Sequence, residues 1–365
     1  MNSVLAAVMP GPGHAVEVRE LPVPVLEHDS ALLEVELSEV CGTDVHLRNG
    51  LLDGVPYPLI PGHVSVGRLA AIHGTVRDVD GSQLHEGDRV TFLDVHRTCN
   101  ACWYCLVAKA STRCPARRVY GITYGAVDGL AGGWAQAVYL KPGTRILPLG
   151  SVTPETFMAG GCSLPTALHA IERADIRIAD TVLVLGSGPV GLSAIILARM
   201  SGAGLILCIG APTARLDAAR AAGASETADI GIASVAERLE WVLAHTGGRG
   251  ADVTSEATGN PAAVVEAMQF TRDAGRVVVV GQYTDHGNAS FNPHSDLNRK
   301  HLEVRACWGS DYSHFHRAVR LLQDPTRAAA WEMFALERYS LGGANDAVNA
   351  VEAGVVVKAL IDPAL

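Results

Sequence analysis

The sequence has no uninterrupted apolar run of membrane-spanning length. Its longest apolar stretch, residues 181–200, contains Gly186, Gly188, Pro189 and Gly191. That punctuation reads as strand, turn and helix rather than as a span. A leader is also missing: the opening MNSVLAAVMPGPGH lacks a basic region, and its apolar part is too short for an export signal. Positive charge is scarce. Lys plus Arg number 29 against 38 Asp plus Glu, a formal net charge of −9, so no broad electrostatic footprint for nucleic acid exists. Internal repeats and low-complexity segments are absent as well. These absences predict a cytoplasmic globular protein without nucleic-acid or membrane partners. In a reducing compartment, its eight cysteines point to metal or catalysis rather than to disulfides.

What is present suits a well-packed globule, with 48% hydrophobic and 18% charged residues. A chain of 365 residues is too long for one ordinary core, so two domains are expected. Residues 1 to about 160 carry short β-branched runs broken by Gly, Pro and Asp, as at 31–37, 64–72 and 89–93. From about 165 to 305 the texture changes. Apolar strands at 181–185, 205–209, 253–256 and 276–280 alternate with helical stretches at 190–201, 214–222 and 235–246. Such alternation implies βαβ units and a parallel sheet, an α/β fold. Two helices near 314–322 and 344–353 and a strand at 355–361 complete the chain.

Gly186-Ser-Gly188-Pro-Val190-Gly191 directly follows the strand at 181–185 and opens an apolar helix. A bare GxGxxG is often only a turn. Here its context is the one dinucleotide binding requires: the first glycine turns the chain, the second admits the pyrophosphate, and the third lets helix pack on strand. The helix N-terminus then offers N–H donors to the phosphates. The next strand should end in an acid that grips the ribose hydroxyls. It ends in Gly210 instead, with Arg215 soon after. NAD or NADP is therefore expected, with a slight lean to NADP; a solvated Arg215 is the bland alternative.

Cys99, Cys102, Cys105 and Cys114 form C-x2-C-x2-C-x8-C. Four thiolates on one loop satisfy tetrahedral Zn²⁺ with no open position, which defines a structural site. Buried free thiols or an iron–sulfur cluster would use similar spacing, but nothing else suggests one-electron chemistry. A second, dispersed set comprises Cys41 in CGTDVH, His63 in PGH and Cys162 in GGC. Each alone reads as a core residue. Beside the fingerprint and the cysteine loop they read as a group.

These motifs, in order along essentially the whole chain, resemble the zinc-containing medium-chain dehydrogenase/reductase superfamily of the alcohol dehydrogenase type. CGTDVH, Gly62–His63, GDRV at 87–90, the cysteine loop, GSGPVG and EATG at 256–259 carry the resemblance. It implies a Rossmann doubly wound parallel sheet, residues 164–307, inserted into a mainly-β GroES-like catalytic domain, residues 1–163 and 308–365, with the active site in the cleft between them. It implies a catalytic zinc on Cys41, His63 and Cys162 besides the structural zinc; the Cys₂His set of alcohol dehydrogenase is a known three-ligand example. A hydride would pass between an alcohol, secondary or cyclic, or its carbonyl partner and NAD(P). Thr43 would take the alcohol proton and His46 pass it to solvent, with Asp44 accepting the second N–H of His63. Lys358 would contact the cofactor pyrophosphate, and the protein would be a homodimer or homotetramer.

Three departures stand out. Val64 occupies the position after the ligand histidine where the family usually has Glu, which predicts a more electrophilic and less exchangeable metal. The cysteine loop is one residue longer than usual, and Gly210 lacks the acid. Leu52, Val95 and Trp308 are expected to line an apolar pocket. Cys208 reads as a core thiol, while His169, His314 and His316 read as packing or surface histidines. Two other readings are a reductase or lyase for a specialised biosynthetic keto intermediate, and a cofactor-binding sensor or structural protein that kept the fold.

Overall fold

The computed structural model describes residues 2–231 and 234–365. The chain forms two compact units: Met1–Cys162 with Asp311–Ala328 and Phe334–Leu365, and Ser163–Ser310 with Ala329–Met333.

The first unit is built on a sheet ordered Leu336–Tyr339, Lys358–Ile361, Ser30–Val40, Ser65–His73, Arg89–Phe92, Ile146–Pro148, with Ala137–Leu140 also paired to Ser30–Val40. All its pairings are antiparallel except the first, which is parallel. Antiparallel strands alternate side chains between two faces, and one face gathers Leu33, Val35, Leu69, Val90, Phe92 and Ile146 into a buried core. Ser30–Val40 is the central strand, paired to three others. Residues attached to its end, Glu39 to Cys41, are therefore held by the most constrained backbone of the unit.

In the second unit, six parallel strands run in the order Glu226–Asp229, Leu205–Gly210, Thr181–Leu185, Ala251–Glu256, Thr271–Val279, Glu303–Ala306. In chain order this is 3-2-1-4-5-6, the doubly wound Rossmann arrangement, with its switch point at the end of Thr181–Leu185. Leu183, Leu185, Leu207, Ile209, Phe270 and Val277 form the core. Helix Pro189–Met200 is buried over most of its length, which its apolar sequence LSAIILA requires. Residues 329–333 belong to this unit through Trp331, fully buried with Nε1 donating to Ser193 Oγ at 3.2 Å.

The strands at 181–185 and 205–210 and the helix at 344–353 lie where the patterning put them. Helix Tyr312–Leu322 starts two residues earlier than expected because Asp311 caps it, accepting from the N–H groups of Ser313 and His314. Edge strand Glu226–Asp229 and helices Pro154–Gly160, Pro261–Phe270 and Pro325–Glu332 are additions, while Glu303–Ala306 is the sixth strand expected just before Cys307. The edge strands are polar and only partly buried, so they carry no alternation to read. Among the described residues no helix is long and apolar enough to cross a membrane.

Candidate active site

Cys41 ends the central strand and caps helix Gly42–Arg48, His63 sits in the turn before Ser65–His73, and Cys162 follows helix Pro154–Gly160. The fold brings these three residues together, their donor atoms all within 4.8 Å of one another. Cys41 Sγ lies 3.8 Å from His63 Nε2. Tetrahedral zinc, with bonds of about 2.0–2.3 Å, needs donor separations of about 3.5–3.8 Å, so the set fits the ion. Two soft thiols and one imidazole leave a fourth position open, which is the donor pattern of a catalytic rather than a structural site.

The electrostatics of the cluster favour anionic sulfur. The Cys162 thiol donates to Cys41, and with the adjacent imidazole this holds Cys41 well below the ordinary thiol range; Cys162, facing that thiolate and buried, is pushed up. Burial pulls His63 down, but the charge and hydrogen bond of Cys41 together with the charges of Asp44 and Asp94 outweigh it and raise the ring to about 10. A bound divalent cation would take over the role of these protons.

Asp44 is fully buried, and burial followed by the Cys41 thiolate pushes its carboxyl well up. Its Oδ2 accepts the Cys41 N–H at 2.8 Å, and the carboxyl also accepts the Gly62 N–H. Asp44 thus ties together the two loops that present Cys41 and His63. The bond to the second nitrogen of His63 is not made: His63 Nδ1 and Asp44 Oδ1 are both buried without a hydrogen-bond partner. Oδ2 is engaged by the Cys41 N–H, while Oδ1 stays unpaired. Thr43 and His46 lie three residues apart on the same helix, both half-buried, and the Thr43 N–H donates to the Cys41 sulfur.

The second metal constellation is also assembled. Cys99, Cys102, Cys105 and Cys114 bring their sulfurs within 4.8 Å of one another, with Cys99 and Cys114 at 3.5 Å. The Ala101 N–H, then the Cys102 side chain, lower Cys99 to about 6, which readies it as a thiolate ligand. Four sulfurs leave no open position.

In the second unit, Gly186 has φ +108°, and a Cβ on Gly191 would lie 1.9 Å from the Gly186 carbonyl oxygen. Both glycines are therefore dictated by the fold. Gly188 is not: its φ is −78°, and a Cβ there would meet nothing within 4 Å. It caps helix Pro189–Met200 without a side-chain cap, and the first N–H groups of a helix have no intrahelical partner, so this helix end can serve as a candidate cradle for a pyrophosphate.

The sequence pattern of the zinc-binding dehydrogenases matches residues 189–324, and that of the alcohol dehydrogenase GroES-like domain matches residues 27–151. The chain is 32% identical over 356 residues to a 5-exo-hydroxycamphor dehydrogenase of Pseudomonas putida, covering 96% of each protein. An alcohol dehydrogenase structure from Thermotoga maritima superposes with a TM-score of 0.91 at 30% identity, covering 99% of both chains. The chain belongs to the zinc-containing alcohol dehydrogenase family. A further family structure, a zinc-binding dehydrogenase of Sinorhizobium meliloti bound to NADP, has a TM-score of 0.84 at 26% identity over the whole of both chains. The expected GroES-like and Rossmann folds are thereby established. Like its alcohol dehydrogenase relatives, this chain is a zinc-dependent oxidoreductase acting on alcohols and their carbonyl partners with a nicotinamide cofactor.

Within this dehydrogenase several residues take other places than the sequence suggested. Lys358 does not face a phosphate. It is 1% exposed inside the first unit, its Nζ 2.5 Å from Glu39 Oε1 and 3.3 Å from the Gly160 carbonyl oxygen. Gly210 lacks an acid for a packing reason, because a Cβ there would lie 2.4 Å from Ser187 Oγ and 2.9 Å from Ser187 N. Arg215 is half-buried rather than solvated, and burial lowers its guanidinium. Cys208 is fully buried, as a core thiol should be. Trp308 stacks on Tyr283 and donates Nε1 to its carbonyl oxygen. His169 Nδ1 bonds the Gly309 carbonyl, and His314 pairs with Asp311.

Two groups went unread in the sequence. Glu256 of EATG is fully buried, its Oε1 accepting from the N–H groups of Thr258 and Gly259 and from the Thr258 hydroxyl. It closes the turn whose Ala257 carbonyl lies against Gly186. Glu39, the partner of Lys358, is the other, and its N–H donates to the carbonyl oxygen of Val64 on the neighbouring strand. The site that lacks an acid at Val64 has one directly across the ladder.

Proposed function

We propose that this dehydrogenase interconverts a secondary or cyclic alcohol and its ketone on a catalytic zinc held by Cys41, His63 and Cys162, with a second, structural zinc on Cys99, Cys102, Cys105 and Cys114. The observation that carries the reading is the Cys₂His triplet, His63 buried and the two cysteines half-buried, with all three donor atoms within 4.8 Å of one another. When bound, zinc supplies a Lewis acid for the substrate oxygen, and the nicotinamide supplies the hydride acceptor. The protein's own residues must then position the metal and remove one proton. Asp44 fixes the two loops that carry Cys41 and His63. Thr43, whose N–H donates to the Cys41 sulfur, would take the alcohol proton on its hydroxyl while passing its own proton on. His46, one turn along the same helix face, accepts that proton from Thr43 and releases it to water.

Two considerations support the substrate preference. Leu52 and Val95, the residues expected to line the pocket, would offer no side-chain hydrogen-bond partners to a polyol, and the camphor-type alcohol named for the Pseudomonas putida relative is itself secondary and cyclic. NADP is favoured over NAD because Gly210 has no room for the acid that would repel a 2′-phosphate, while Arg215 lies one turn away; NADP also occupies the Sinorhizobium meliloti structure. Asp229, paired with Gly210 in the sheet, is held by the Thr213 hydroxyl at 3.0 Å and the Gly231 N–H at 2.7 Å, so its charge is partly satisfied there. A dimer or tetramer and a cytoplasmic site belong to the same reading.

The test is nicotinamide absorbance during turnover with primary, secondary, cyclic and polyhydroxy alcohols and both cofactors. Turnover of cyclic secondary alcohols, lost to a chelator and restored by zinc, is the expected result. Intact zinc and cofactor binding with no turnover across the panel would favour the sensor reading.

A further inference from the structure

Cys41 and His63 are held by ladder ends and by Asp44. Cys162 has neither. It lies in the turn after helix Pro154–Gly160, beyond Gly161 at φ +47°, with no strand on either side. What reaches it is a buried ion pair. Glu39 Oε2 accepts the Cys162 N–H at 2.6 Å, and Glu39 Oε1 is bonded to Lys358 Nζ. Both residues are 1% exposed.

The pair is fixed from every direction. Strand Lys358–Ile361 runs antiparallel to Ser30–Val40, with Leu360 opposite Glu39. The Glu39 carbonyl accepts from Trp134 Nε1 at 3.1 Å. Lys358 also donates to the Gly160 carbonyl, two residues before the ligand. At Gly161 a Cβ would lie 2.2 Å from Glu39 Oε2. The chain thus wraps closely around the carboxylate, gripped at residue 160 by the lysine and at residue 162 by the glutamate.

Taking two charges out of water is expensive, and a buried pair is often no more stable than an apolar replacement. Stability therefore does not account for it, whereas its attachment to one ligand does. We propose that Glu39 and Lys358 are positioning residues of the metal centre: Glu39 fixes the backbone that presents the Cys162 sulfur, and Lys358 offsets the negative charge beside the thiolates. Two thiolates already balance a divalent ion, so Glu39 would add an uncompensated charge without the ammonium. The inference rests on Cys41, His63 and Cys162 being the metal ligands.

The test uses full-length protein loaded with cobalt(II), reading the ligand-field and thiolate-to-cobalt absorption and the rate of metal loss to a chelator. Cys162→Ser first identifies the bands of the three-residue site. If those bands exist in the parent and Cys162→Ser leaves them untouched, the ligand assignment fails and this inference with it. Otherwise Glu39→Gln should shift those bands and speed metal loss from that site about 10–100-fold, the usual effect of removing a group that orients a ligand. The four-cysteine site should hold its metal unchanged, and Lys358→Arg should keep the parental bands. Glu39→Gln strands a buried ammonium and can fail to fold, so the charge-free double variant Glu39→Gln/Lys358→Met carries the decision. Shifted bands and faster loss in a folded double variant support the proposal. Parental bands and loss rate there overturn it, reducing the pair to packing.

Discussion

Replacing Gly188 and Gly191 one at a time separates what the glycine turn does for the fold from what it does for the dinucleotide. In Gly191→Ala the new Cβ starts 1.9 Å from the Gly186 oxygen, where a carbon–oxygen contact needs about 3.3 Å. The helix must move by more than about 1 Å or the turn must open. Overpacking of this kind costs about 1–3 kcal/mol. At about 2–4 °C per kcal/mol for a body of this size, the Tm should fall by about 2–12 °C. A displacement of about 1 Å at the helix end should also weaken dinucleotide binding about 100-fold. Gly188→Ala differs on both counts. Its backbone is ordinary and its Cβ meets nothing, so stability should stay within about 0.5 kcal/mol of the parent. The methyl group intrudes only where the phosphates approach, raising the Kd by on the order of tenfold, about 1.4 kcal/mol. Circular dichroism melts and titration of reduced-nicotinamide fluorescence measure the two quantities. A parental Kd in Gly188→Ala, or a Tm loss equal to that of Gly191→Ala, would refute the assignment of the open space to the cofactor.

Three further outcomes can be checked alongside. Cys102→Ser should remove one of two zinc equivalents and lower the Tm, because a structural metal contributes directly to folding, while cobalt bands of the other site stay as they were. Asp311→Ala should cost about 0.5–2 kcal/mol by urea unfolding, the loss of a helix cap; an unchanged midpoint would show that the helix needs no cap. His96 is held neutral by burial, its Nε2 3.0 Å from the Pro142 oxygen and its Nδ1 2.6 Å from the Tyr124 hydroxyl. Its pKa in the fold lies below the unfolded value of about 6.5, so the unfolded chain takes up the proton first. The stability that His96 confers is present above that pH and is lost as pH falls through it. His96→Gln should flatten this part of the pH dependence; an identical slope in both proteins would assign it elsewhere.

Much of the site was legible because its residues sit in compact, ordered motifs. The cysteine loop and GSGPVG announce themselves, CGTDVH and GH become legible beside them, and the structure assembles each of the two cysteine-containing groups. The Glu39–Lys358 pair was not legible, for physical reasons. Strict alternation from Glu34 and Glu36 puts Glu39 on the opposite, inward face with Val35 and Leu37, but a single acid near the end of a strand reads as a solvated terminus. A lysine in an apolar closing strand looks like a cation reaching for phosphate. Only tertiary packing reveals that the two lie 319 residues apart in sequence and neutralise each other. A usable signal existed: Glu39 is the acid nearest the metal motif on a strand whose neighbour, Val64, lacks one.

The order in which residues leave the ribosome gives Trp331 and Lys358 a shared consequence. The second unit holds residues 163–310, yet its core waits for an indole that arrives at 331. The first unit has presented its Cys41, His63 and Cys162 cluster by residue 162, but the ammonium beneath Cys162 arrives only at residue 358. Neither half is finished during synthesis until the C-terminal segment has crossed back to each in turn. A nascent chain stalled near residue 325 would display both units and complete neither, and a metal captured at that stage would sit on a site missing one of its supports.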